Sequence, residues 1–458
     1  MTTNKLWQSA WLAAAATIAA GWGTASAQTV APPAAAAPPA AAAPPAAAAT
    51  TAAPTPAPAP AAPPPGLWID GIHLSAQIEA GITGNFDGPK QNFGQLFTDK
   101  PNTVLLNQIL LTANKPLDPK ATGFDWGFKL QGMYGSDARY THFLGEFDWV
   151  NPYDRNQFDI VEANVLFHLP VLFDGGIDVK AGQYSTPLGF ETIDPSTNPF
   201  YSHSYIFNFG LPLKHTGILT TSHVNSMLDV YLGLDTGANT SFGSSGDDNS
   251  AIAFLGGVNL TLLGGNLTAL ALTHIGPENS SRALSPFGYN ADGYYRYYND
   301  IVITYKATSA LTLTTELNWV RDDFGNGLLT GKPAPANAFG VAQYASYTLT
   351  DTLTLNGRAE VYRDDNNFFV SGFANNNGFD QFQQGFPTPL VSGAKHATTY
   401  GELTLGVTYK PAGLPPVISG LLIRPEIRWD TDLGGASAYN GGTANSSFTV
   451  ASDVVLTF

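Results

Sequence analysis

From Leu67 to Phe458 the chain alternates apolar and polar side chains with a period of two, in segments of about ten residues. That period sends successive side chains to opposite faces of a strand. In LWIDGIHLSAQIEAGITG, Ile72, Leu74, Ala76, Ile78, Ala80 and Ile82 share one face; His73, Ser75, Gln77, Glu79 and Thr83 share the other. In FDWGFKLQGMY, Trp126, Phe128 and Leu130 alternate with Asp125, Lys129 and Gln131. LLIRPEIRWD sets Arg424, Glu426, Arg428 and Asp430 against Ile423, Ile427 and Trp429. About sixteen such strands are predicted, over 68–83, 103–113, 124–134, 158–169, 177–184, 213–221, 227–235, 251–262, 266–275, 295–306, 311–321, 338–349, 353–363, 397–409, 421–430 and 447–458. About ten residues is what a tilted strand needs to cross a bilayer.

The connections follow a parity. After odd-numbered segments they are long, as at 84–102, 135–157, 185–212 and 364–396; after even-numbered ones they are mostly short, as at 308–310 and 350–352. A bacterial outer-membrane barrel has an even number of strands, long outer loops and short periplasmic turns. A soluble sandwich has no reason to keep such a parity, and no repeat period marks a solenoid. Backbone groups in lipid must all be paired, which makes a closed barrel the β solution. The prediction is an all-β fold: a transmembrane antiparallel β-barrel of about sixteen strands with periplasmic termini. Trp68, Phe124, Phe167, Tyr305, Trp319, Tyr409 and Trp429 sit near segment ends, as interfacial aromatic girdles do. The final TVASDVVLTF puts Phe448, Val450, Val454, Leu456 and Phe458 on one face and reads as the strand that closes the barrel.

The front of the chain addresses it for export. Residues 1–27 carry Lys5, an apolar stretch and Ala25-Ser26-Ala27, the parts of a cleaved signal peptide. Residues 28–66 are almost wholly Ala and Pro and form an extended periplasmic linker. The barrel is assigned to 67–458, and the location to the outer membrane of a Gram-negative bacterium. No cysteine is present, so neither disulfides nor Cys-type zinc sites are available. A formal net charge of −15 argues against nucleic acid, which requires a basic footprint.

The stretch AGQYSTPLGFETIDPSTNPFYSHSYIFNFGLPLKHTGILTT, 181–221, carries Thr186, Pro187, Gly189 and Glu191, then Tyr201-Ser202, then Pro212, His215, Thr216 and Gly217. Together with YGSDARY at 134–140 it resembles the OmpL-like β-barrel porins. The resemblance implies a single-barrel porin that passes small hydrophilic solutes or ions; it implies a pore, not a particular solute.

A pore's chemistry lies in the polar inner faces of its strands and in the charges at its narrowest point. By analogy with general porins, the connection 185–212 would fold inward and supply Glu191 and Asp194, with His203 available. On the wall, Arg358, Glu360, Arg424, Glu426 and Arg428 face the lumen, because charges on the lipid side would be costly. Whether they line the constriction or pair across the wall stays open. Asp247-Asp248, Asp322-Asp323 and Asp364-Asp365 read as solvated acids of outer loops. His73, His168, His215 and His274 lack metalloprotease spacing and read as hydrogen-bonded wall residues. No nucleophile elbow or P-loop occurs, so neither an enzyme, a metal nor a cofactor is expected. Expected partners are outer-membrane lipid and lipopolysaccharide, and the barrel-assembly machinery through the terminal strand ending in Phe458. A homotrimer and a cell-wall contact through the Ala/Pro linker stay open. The alternatives are a channel selective for sugars or peptides, with Tyr201, Tyr205, Phe207, Tyr294 and Tyr295 stacking on sugar rings, or a closed barrel serving as adhesin or cell-wall anchor.

Overall fold

The computed structural model describes residues 67–143, 146–147, 150, 154–241, 249–325, 327–372 and 394–458. The signal peptide, the linker and Asp247-Asp248 lie outside them. A three-residue strand, β1 (Leu67–Ile69), precedes the sixteen strands of the barrel. These are β2 (Ile72–Asn85), β3 (Val104–Lys115), β4 (Asp125–Gly135), β5 (Gln157–Leu169), β6 (Ile177–Ser185), β7 (Lys214–Asn225), β8 (Leu228–Asp235) and β9 (Ala253–Leu262). The circuit continues through β10 (Leu267–Pro277), β11 (Tyr295–Lys306), β12 (Leu311–Asp322), β13 (Ala336–Thr350), β14 (Leu353–Asp364), β15 (Thr398–Tyr409), β16 (Gly420–Asp432) and β17 (Ser446–Thr457). Each pairs antiparallel with its neighbour in sequence, and β17 pairs with β2 from Thr449↔Asn85 to Thr457↔Gln77. The sheet therefore has no free edge among the barrel strands. All sixteen predicted segments are strands, and long and short connections fall at opposite ends of the barrel.

The first segment departs from its prediction. The alternation predicts one strand over 68–83, but Asp70 (φ 49°) and Gly71 (φ 82°) make a two-residue turn between β1 and β2. Two successive left-handed residues define the tight hairpin turn that Asp-Gly favours. Beyond it, β1 lies along β2 where β17 has ended, just past the bond from Phe458 N to Ala76 O (2.8 Å).

The barrel is inside-out relative to a soluble protein. On β2, Gln77, Glu79, Thr83 and Asn85 are buried, while Ile82 is exposed. On β16, Arg424, Glu426, Arg428 and Asp430 are buried, while Ile427 and Trp429 are exposed. An exterior of exposed leucine, isoleucine and valine is stable only against lipid. Aromatics ring both ends: Phe124 stacks on Phe167 near the short turns, and Tyr297 stacks on Trp319 near the long connections.

In two of the acid pairs the second member, Asp323 or Asp365, is at the surface as expected, but the first is not a solvated loop residue. Asp322 ends β12 fully buried, 2.8 Å from Arg296 Nε, and accepts from Asn279 Nδ2. Asp364 ends β14, also fully buried, and accepts the backbone N–H groups of Phe368 and Val370. Each continues the inward register of its strand into the connection, where burial demands hydrogen-bond partners.

Candidate functional site

The connection between β6 and β7, residues 186–213, folds into the barrel. Tyr201, Ser202, Tyr205, Ile206 and Phe207 are each at most 3% exposed. A loop inside a barrel has no neighbouring strand to satisfy its backbone, and a buried unpaired peptide group costs about as much as a lost hydrogen bond. The wall side chains supply the missing partners. Glu426 accepts from the N–H of Tyr201 (2.9 Å) and Ser202 (3.2 Å). Glu360 accepts from Tyr205 N (2.6 Å) and Ile206 N (2.8 Å). Glu316 accepts from Phe190 N (3.0 Å).

The arginines serve the loop's carbonyls. Arg358 donates to Ser202 O (2.9 Å), Glu191 Oε1 (2.7 Å) and Glu402 Oε2 (2.9 Å). Arg424 donates to Pro195 O (2.6 Å) and Asn198 O (2.8 Å), and pairs with Glu79 and Asp453. Arg428 donates to His203 O (2.6 Å) and pairs with Asp430. Removing one member of such a buried pair leaves the other uncompensated, at about 3–5 kcal/mol.

The seven residues singled out from sequence therefore converge, but in unequal settings. Glu191, Arg358, Glu360, Arg424, Glu426 and Arg428 are buried in the loop's anchorage. Asp194 is half-buried, accepting from Ser196 N (2.9 Å) and Gln77 Nε2 (3.0 Å). Its neighbours Thr192, Ser196 and Thr197 are exposed and form the loop's wet edge. Tyr201, Tyr205 and Phe207 are packed away: Tyr201 donates to Asn107 Oδ1 (2.8 Å), Tyr205 stacks on Tyr400, and Phe207 meets Phe97 edge-on. They offer no face to a sugar.

His203 sits at the centre of this packing, stacked on Phe207 at 4.2 Å. Burial, and then the Arg358 and Arg424 guanidiniums, hold its imidazole well below the usual histidine range. Asp137, just before the short helix α1 (Ala138–Thr141), accepts from Asn107 and Gln108, and burial pushes its carboxyl up to about 6. Sequence reasoning missed Glu79, Glu316, Glu402 and Asp453 as partners of the loop and its arginines. Each occupies an inward position of an alternating strand, so the signal was present, but nothing in it told which inward acid the loop would meet.

The family described as putative beta-barrel porin-2, OmpL-like, matches residues 71–458. No curated protein sequence matches the chain. Among solved structures, the outer membrane channel DcaP of Acinetobacter baumannii aligns at 11% identity and a TM-score of 0.51, covering 86% of this chain and 100% of that one. An anion-selective porin from Comamonas acidovorans aligns at 12% identity and 0.51, covering 84% and 99%. OmpF of Salmonella typhi, in complex with daunomycin, aligns at 10% and 0.51, covering 86% and 99%. At such identities the likeness is one of fold.

Proposed function

The chain belongs to the OmpL-like β-barrel porin-2 family, and from that membership we propose an outer-membrane porin that passes small hydrophilic solutes or ions passively, with a preference for cations. The observation that carries this reading is the lumen loop, folded inward and held by wall charges, with Asp194 on its wet edge. At the anchorage Arg358, Arg424 and Arg428 are each committed to carboxylates: Glu191 and Glu402, Glu79 and Asp453, and Asp430. Glu316, Glu360 and Glu426 add further acid there. These groups are buried and taken up in holding the loop, so the charge offered to a passing ion is that of half-buried Asp194, which attracts cations.

Export through residues 1–27, periplasmic termini and recognition of the strand ending in Phe458 by the assembly machinery belong to the same reading. The sugar-channel alternative loses support with Tyr201, Tyr205 and Phe207 buried. A closed barrel draws support from the tightness of the anchorage, and one experiment separates it from a porin. The mature protein is inserted into a planar bilayer under a KCl gradient. Stable open steps are expected, with a reversal potential of the sign set by potassium, moving towards zero in Asp194→Asn. A folded, inserted barrel without conductance would transfer the reading to the closed form.

A further inference from the structure

Strands β7, β8 and β10 bring His215, Asp235 and His274 together on the inner wall, near the long connections. All three side chains are shut off from water. His215 Nδ1 lies 3.1 Å from Asp235 Oδ2, and His274 Nε2 lies 2.9 Å from Asp235 Oδ1. One nitrogen from each ring and one carboxylate oxygen fall within 4.8 Å of one another.

The strands make room for this meeting. Gly217 of β7 lies opposite Asp235, and a Cβ there would come 2.2 Å from Leu234 O and 2.7 Å from Asp235 Cβ. Between β8 and β10, β9 presents only the methyl of Ala253 beside Asp235, so His274 reaches across it. Behind the rings, His215 Nε2 contacts Thr186 Oγ1 at 3.0 Å, and His274 Nδ1 faces Glu278 Oε1 at 3.7 Å.

Two contacts in the group lack a hydrogen bond: His215 Nδ1 with Asp235 Oδ2, and His274 Nδ1 with Glu278 Oε1. His215 Nδ1 and Asp235 Oδ2 are close but misaligned for a hydrogen bond, and neither has another such partner among the described residues. The Thr186 contact admits either ring tautomer; with Nε2–H donating to Thr186, Nδ1 turns a lone pair towards a carboxylate oxygen in a dry interior. Two acceptors face to face repel unless a cation lies between them. A second histidine–carboxylate group among the described residues behaves differently. His168 meets Asp178 at 2.7 Å, and His223 meets Asp229 at 2.8 Å and Asp178 at 3.3 Å, each contact with hydrogen-bond geometry.

We propose that His215, Asp235 and His274 bind a divalent transition-metal ion of the zinc class. Two imidazole nitrogens with one carboxylate suit Zn²⁺, Co²⁺, Ni²⁺ or Cu²⁺, whereas Mg²⁺ and Ca²⁺ demand oxygen ligands. Bonds of about 2.0–2.1 Å to a tetrahedral ion set neighbouring ligand atoms roughly 3.3 Å apart; the two ring nitrogens stand 3.1 and 2.9 Å from different oxygens of Asp235, and a set with one oxygen fits within 4.8 Å. Thr186 stands as an outer partner that orients the His215 ring, and Glu278 lies beside the His274 ring without a hydrogen bond to it. Thr186 begins the lumen loop and His215 follows its return, so the ion ties the loop's two ends to the wall.

The test uses the full-length mature protein, refolded without a histidine tag, loaded with Zn²⁺ or Co²⁺, washed with a weak chelator and assayed for bound metal. About one equivalent per chain is expected, with a Co²⁺ visible absorption of tetrahedral intensity. His215→Gln and His274→Gln should each weaken binding by about tenfold or more, and His223→Gln should leave it unchanged. Folding of every variant is checked by heat-modifiable gel mobility. Folded wild-type protein that retains no metal would overturn the proposal, leaving a proton-bridged triad. So would metal that survives loss of either histidine, or that leaves with His223.

Discussion

His203 spends a buried imidazole where a neutral ring would serve as well, and this makes it a titratable weak point in the loop's packing. Its neighbours are the Arg358, Arg424 and Arg428 guanidiniums, Asn198 and the Phe207 ring. In the anchored state its proton affinity is depressed; in a released loop it would return to about 6.5. The released state therefore binds more protons below that pH, and acid favours release. The stabilisation is fully present above about pH 6.5 and is lost as the pH falls below it. Asp137 works in the opposite direction, since a carboxyl raised to about 6 takes its proton first in the folded state. The two contributions separate by substitution. Conductance noise recorded from pH 8 to pH 5 should grow more steeply below about 6.5 in the wild type than in His203→Gln. Equal profiles would remove His203 as the sensor.

Among the elements, the strands were legible and the loop was not. A barrel strand meets lipid on one face and lumen on the other, so its sequence must alternate, and the inward positions of Arg424, Glu426 and Arg428 follow directly. Asp70-Gly71 carries a turn signal of its own, and the alternation reads straight through it. The loop answers to contacts with no period. Tyr205 meets Glu360 and Asp430 from more than 150 residues away, and only the closed barrel brings them within reach. Hence the sequence could name Arg358 and Glu191 as inward or loop charges without pairing them. The seat of Tyr201 tests how far the loop depends on the wall. A Cβ at Gly81 would lie 2.5 Å from the Tyr201 ring, on a β2 position that pairs with Asp453 and Leu105. Gly81→Val should displace Tyr201 and its bond to Asn107 while leaving the barrel paired. Larger, noisier single-channel steps with unchanged heat-modifiable mobility are expected; unaltered steps would mean that the anchors on β14 and β16 hold the loop without that seat.

At the scale of the whole molecule, the fold tolerates near-complete divergence because it asks only for a binary code: apolar outward, polar inward, in a closed circuit. That is why DcaP shares the barrel at 11% identity. It is also why alternation sufficed to place all sixteen strands, while solute and subunit contacts, which depend on particular side chains, leave no trace in a two-letter pattern. The code makes a sharp prediction on a single strand. Ile301, at the middle of β11, is 38% exposed and faces outward; Thr304, three positions on, faces inward and shares a hydroxyl contact with Thr314. An arginine on the lipid face at the midplane costs about 2–4 kcal/mol, whereas one in the lumen keeps its water. Ile301→Arg should lower the folded, heat-modifiable fraction after refolding into lipid vesicles, and Thr304→Arg should leave it near wild type while shifting the reversal potential towards anions. Equal losses in both would mean that the lumen at Thr304 is as dry as the bilayer, and the pore would have to be sought on the opposite wall.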